Sequence, residues 1–233
     1  MSRGTVGKWL FNLVVLLAFA GAVVSAYTLV RSSGILGTTG VPAVPEFADI
    51  PLEDPQRVAI EKAVQLGLVK PSSDQEFGPL ELVTRAAFAE GVVAAMDWKV
   101  TKDEQQPFAD VEGRADQLDP ADYVAVVYRE GVMSGPAADP PEFQPNDPVL
   151  LSHAVIVAVR AGGSNVKEPT IPAEDIDALD LPDGLKSALQ AAAHSGLLAG
   201  TGIDPQTSDF QKPAAKAQVA ALLVNLRTAV GKD

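Results

Sequence analysis

Cysteine is missing from all 233 residues of this chain. Disulfides, thiolate metal sites and cysteine nucleophiles are therefore excluded together. Histidine is almost missing too, with His153 and His194 the whole set. Neither belongs to a metal-spaced pair, and one imidazole among scattered carboxylates makes a poor metal site. Ser152 directly precedes His153, and adjacent side chains on a helix point away from each other, so the two do not form a nucleophile and its base. Gly200-Thr201-Gly202 lacks the lysine and flanking strand of a phosphate loop. Asp175-Ile176-Asp177 with Asp180 lacks the glycine turn of a calcium loop. The other acidic clusters read as solvated loop charge. No catalytic residue, metal or cofactor is expected, and the chain is not read as an enzyme.

Positive charge is also short, with 18 Lys and Arg against 30 Asp and Glu and a net charge of −12. Arg3, Lys8 and Arg31 are the only charges in the first 31 residues, so the remainder carries 15 basic and 30 acidic side chains, a net −15. Nucleic acid is excluded as a partner, because its binding relies on neutralising phosphates with Lys and Arg. An electrostatic grip on anionic lipid is disfavoured for the same reason. No long segment shows the strict apolar–polar alternation of a half-buried strand, which points to an all-α fold.

What is present begins with Leu10 to Val30, 21 residues without a charge. At about 1.5 Å per residue such a helix spans about 30 Å, one hydrocarbon core. Residues 1–31 are read either as a transmembrane anchor or as a signal peptide cleaved after Val24-Ser25-Ala26. The apolar run continues through Tyr27, Leu29 and Val30, which favours the anchor, and Trp9 sits at the membrane edge. Both readings carry the rest of the chain across the membrane, because the positive charges precede the segment. The expected location is the bacterial cell envelope, anchored through residues 10–30 with the C-terminal part outside the cytoplasm, or secreted if cleaved. Residues 32–45, rich in Gly, Thr, Ser and Pro, read as a linker.

The remainder repeats. Phe47-Ala48-Asp49-Ile50 returns as Phe108-Ala109-Asp110-Val111, and more weakly as Ile171 to Ile176. Asp54-Pro55 and Asp119-Pro120 each supply a cap and a first-turn proline. A first helix follows, ended by Gly67, Gly131 or Gly196, the residue type that tolerates the left-handed stop. These glycines are 64 and 65 residues apart. Phe77-Gly78-Pro79, Phe143-Gln144-Pro145 and Phe210 with Pro213 then lead into second helices. Asp147-Pro148 is expected to open the second of these. Thr84 is the natural N-cap of the first, and Val219, Leu222, Leu223 and Leu226 share a face of the third. The boundaries are 46–103, 104–167 and 168–233, and matched spacings of this kind mark repeats that stack on a shared core.

Phe47-Ala48-Asp49, Gly67 and Thr84-Arg85-Ala86-Ala87 resemble the S-layer homology family, whose hallmarks are Phe-x-Asp, a central Gly and a Thr-Arg-Ala-Glu helix opening. The resemblance covers about residues 46–230, with the second and third copies degenerate. It implies three helix–loop–helix repeats in one pseudo-threefold bundle, with grooves between lobes. It also implies binding of pyruvylated secondary cell-wall polysaccharide in those grooves, with the motif Arg central. Only Arg85 carries over directly. Lys216 stands in the third copy as a weaker point charge, and Leu150-Leu151-Ser152-His153 has neither Thr nor Arg. The candidate polymer-binding residues are Thr84, Arg85, Lys216 and Trp98, in a groove beside the second helix of the first repeat. Ala87 leaves the Thr-x-x-Glu capping box half made, and Gln218 can supply the Glu half in the third copy. Two functions are open: attachment to cell-wall polysaccharide or the S-layer assembly, or a scaffold subunit of a membrane-associated envelope complex that packs on envelope proteins.

Overall fold

Each first helix ends in the same way. Gly67, Gly131 and Gly196 have φ of +67°, +69° and +75°. The residue after each donates back five positions: Leu68 to Ala63, Val132 to Val127 and Leu197 to Ala192, at 2.8 to 3.0 Å. The glycines themselves donate to Val64, Tyr128 and Ala193. This is the Schellman pattern, which satisfies the last carbonyls of a helix and tucks an apolar residue under its end.

The computed structural model describes residues 46–102, 104–113, 118–167, 169 and 173–232. The apolar segment and the linker lie outside the described residues, as do Ile171 and Pro172 at the third repeat's opening. Among the described residues no helix is long and apolar enough to cross a membrane. The elements are α1 (Arg57–Gln65), α2 (Arg85–Met96), α3 (Pro120–Arg129), α4 (Leu151–Gly162) with a 3-10 turn (Gly163–Asn165), α5 (Glu174–Asp177), α6 (Asp183–His194) and α7 (Lys216–Ala229). The described residues contain no strand, so this part of the chain is all-α.

Thr84 caps α2 by accepting the Ala87 N–H at 3.2 Å. Asp119 caps α3 with Pro120 in the first turn, and Asp122 returns a bond to the Asp119 N–H. Two expected starts move. Asp54 accepts the Gln56 N–H at 2.7 Å and holds a turn, so α1 begins at Arg57. Asp147-Pro148 does not cap α4 either. Pro148 pairs with Thr84 across the repeat boundary, and the helix begins three residues later.

The sequence repeats are not the packing units. α1 packs on α7, α3 on α2 and α6 on α4, so each first helix covers the second helix of the repeat before it. α2, α4 and α7 meet at the centre. Three isolated antiparallel bridges follow one cyclic rule: Thr84 with Pro148, Leu150 with Pro213, and Ala215 with Leu82. In each, the residue capping one second helix pairs two residues ahead of the next cap. α7 carries no polar stripe over most of its length: Leu222, Leu223 and Leu226 are fully buried, and Val219 and Ala220 nearly so. A helix apolar all round belongs at the centre of a core.

Candidate functional site

The carboxylates of the Phe-x-Asp openings fix the Phe-x-Pro loops. Asp49 accepts from the Phe77 and Gly78 N–H groups at 2.9 and 2.7 Å. Asp110 accepts from Phe143 and Gln144, both at 2.7 Å. Desolvation pushes the Asp49 pKa up, but the backbone donors more than offset it, and the carboxyl titrates below its ordinary value. The loops so fixed present the Phe77 and Phe143 carbonyls to the neighbouring repeat.

The motif cations answer those carbonyls. Arg85 is nearly buried and donates Nε–H to the Phe143 carbonyl at 2.8 Å and Nη2–H to the Ser134 carbonyl at 2.7 Å. Its guanidinium lies 4.7 Å from the Phe143 ring centroid, a cation–π contact. Burial lowers its pKa and the Asp147 and Asp110 charges oppose that, but an arginine stays charged. Lys216 does the same from α7 to the first repeat. Its ammonium donates to Ser72 Oγ at 2.8 Å, the Phe77 carbonyl at 3.0 Å and Glu81 Oε2. Every ammonium N–H of Lys216 is thus taken by the protein. Arg85 keeps its Nη1 group without a protein partner among the described residues.

Arg85 and Lys216 therefore stand in different grooves. The groove holding Lys216 also has Thr84, Ala87, Leu68 and Val69 in its wall and a volume of about 230 Å³. Its charges are matched: Lys216 by Glu81, and Lys70 by Glu90 at 2.7 Å. The groove holding Arg85 is larger, about 450 Å³, and its wall includes Ser134, Gln144, His153, Ile156 and Arg160. Among the described residues no Asp or Glu lines it. Desolvation, then the Arg85 and Arg160 charges, lowers the His153 pKa, so the imidazole is neutral at pH 7. At the third boundary Leu151 replaces the cation. Asn225 there spans to the Leu197 and Ala199 carbonyls at 2.9 and 2.8 Å.

The four expected binding residues are thus dispersed. Thr84 and Lys216 share one groove and Arg85 lines the next. Trp98 lines neither, and it stands at the far end of α2 from Arg85. It follows Asp97, the left-handed cap at the far end of that helix, and donates its N–H to the Val93 carbonyl at 3.1 Å. It is the apolar residue after a helix stop, packed on the core. The sequence reads His153 as a helix-surface or packing histidine and does not single out Arg160, Ser134 or Gln144. Register could have found them: counted from the helix starts, His153 matches Ala87 and Arg160 matches Ala94.

Residues 46–89 match the family model of the S-layer homology domain. The match runs from the first Phe-x-Asp through the first turns of α2, and takes in the Thr84–Arg85 motif. Domains of this family are non-catalytic and attach proteins at the cell surface to secondary polymers of the cell wall. The match thus points to the cell envelope and to attachment there as the general function of this stretch. No curated protein matches the chain.

Proposed function

We propose that the chain is a non-enzymatic envelope attachment protein that binds an acidic cell-wall polysaccharide in the Arg85 groove. The observation that carries this reading is the charge of that groove. Arg85 and Arg160 face a cavity with no carboxylate among the described residues, in a chain with a net charge of −12. A carboxylate entering there meets a guanidinium edge held in place by two carbonyls. Such pre-ordering lowers the entropy lost on binding, and guanidinium–carboxylate pairing is the strong kind of hydrogen bond. Ser134 and Gln144 can take sugar hydroxyls, and neutral His153 can donate or accept. The Lys216 groove does not take part, since its ammonium is spent on protein acceptors. Attachment to the membrane through residues 10–30 belongs to the same reading.

The test is cosedimentation of the full chain with purified wall at low salt, with and without its secondary polymer. Binding should vanish when the polymer is stripped and weaken as salt rises, because few charges carry it. Arg160→Ala should weaken binding about 5-fold or more, as expected for loss of a charge-assisted contact. Lys216→Met should leave the binding of folded protein unchanged. A wild-type chain that stays in the supernatant at low salt would end this reading. The engaged Lys216 and the loss of the motif cation at Leu151 would then favour the scaffold reading, with envelope proteins as partners.

A further inference from the structure

The cavity beside Arg85 does not stop at Arg160. Ile156 and Arg160 also line a second cavity of about 450 Å³ between α4 and α6, whose wall adds Val159, Lys167 and Ser187. His153, Ile156 and Arg160 are three and four residues apart on α4, so they form one stripe along it. That stripe passes from the first cavity into the second. Among the described residues neither cavity has an Asp or Glu in its wall. Several other cations are matched by carboxylates, as in Arg57 with Glu61, Arg129 with Glu104 and Lys216 with Glu81. Among the described residues the side chains of Arg160 and Lys167 make no ion pair and no hydrogen bond. Arg160 and Lys167 thus set two cations without ion-pair partners along one path, over a floor of Ile156, Val159 and Ala188. A pyranose fits such a path, because its C–H faces are apolar and its acid groups stand at the ring edge.

We propose that the two cavities are one track for an acidic oligosaccharide. The Arg85 cavity holds one acid group, and the Arg160–Lys167 cavity between α4 and α6 is a second subsite. This rests on the polymer-binding reading and adds to it a place and a minimum ligand length. A ligand long enough to reach both cavities makes its second contact intramolecularly, at high effective concentration. A single sugar acid gains nothing from the second cavity.

The test uses the full chain on a sensor surface, with galacturonic acid and its linear hexamer as probes. The hexamer should bind about tenfold or more tightly than the monomer. Lys167→Ala should weaken the hexamer about two- to fivefold and leave the monomer unchanged, as expected for one exposed charge contact. Ser187→Glu, at an exposed position, places an acid in the second cavity and should weaken the hexamer further without touching the fold. If the hexamer binds no tighter than the monomer, or ignores both substitutions while depending on Arg160, the track is overturned and the single groove stands. If neither probe binds, the polymer-binding reading falls with it. If hexaglutamate binds as tightly with the same dependence on Lys167, the track reads charge alone and the glycan assignment is overturned.

Discussion

Arg85 and Lys216 occupy the same place in their repeats and reach the same loop carbonyl of the next, but chemistry separates their roles. The planar guanidinium spends one edge on Phe143 and Ser134 and keeps Nη1. The compact ammonium is consumed by its three acceptors. Lys216→Met should therefore cost about 1–3 kcal/mol, since the buried Phe77 carbonyl loses a charged donor. A chemical denaturation midpoint equal to wild type would contradict this. Asp49 carries a pH signature. A carboxyl whose folded pKa lies below its unfolded one adds stability above the unfolded value and loses it as pH falls through the folded value. Asp49→Asn should cost about 1 kcal/mol at pH 7. That penalty should fade below about pH 4, as wild-type Asp49 protonates. A full penalty persisting at pH 3 would show that shape, not charge, holds Phe77 and Gly78. Arg85 at the start of α2 and Thr84 as its cap were legible, because a motif names them. His153 and Arg160 were not, because the second copy of the motif has lost every letter that would bring the eye to it.

At the scale of elements, the glycine stops were the firmest sequence signal, since φ near +70° is a need that few other residues meet. A Cβ added at Gly67, Gly131 or Gly196 meets nothing within 4 Å. The cost of alanine there is backbone strain alone, about 1 kcal/mol at each position, and a β-branched residue should cost more. Thermal melts of the three alanine variants should show similar small drops. A large loss at only one would mean that its loop, not its left-handed turn, is the sensitive feature. Helix starts were less legible than stops. Asp54-Pro55 and Asp147-Pro148 read as caps by composition, but one holds a turn and the other joins the ring of bridges. Local propensity cannot distinguish a cap from a turn that precedes one. Trp98 could be placed after α2 from the sequence, but the stop before it could not. Its role follows from Asp97 taking a left-handed turn at φ +53°, a conformation glycine would have advertised.

At the scale of the molecule, the repeat period could be counted in the sequence, but the direction of packing could not. Apolar faces on six long helices do not say which covers which. The answer is cyclic: every first helix lies on the preceding second helix, so the first repeat depends on the last. Ile60 and Ala63 of α1 are fully buried in the closed ring, and α1 packs on α7. Lys216 and the Leu82–Ala215 bridge join the same two repeats. The domain is then no linear solenoid, in which an end repeat can be removed at the cost of its one interface. A chain ending at residue 167 loses α7 from the centre and α6 from α4, and leaves α1 without cover. Leu222, Leu223 and Leu226 alone each contribute about 1.5–3 kcal/mol of burial. Their sum approaches the whole net stability of an ordinary domain, about 5–15 kcal/mol. The truncated chain should therefore show no cooperative unfolding transition by circular dichroism. A cooperative melt near the midpoint of the full chain would mean that two repeats suffice and that closure of the ring adds little. The same closure bears on binding. The loop that faces Arg85 is held by Asp110, and α2, which carries Arg85, is packed against α7. The geometry of the cationic groove thus depends on the third repeat, although that repeat adds no side chain to its wall.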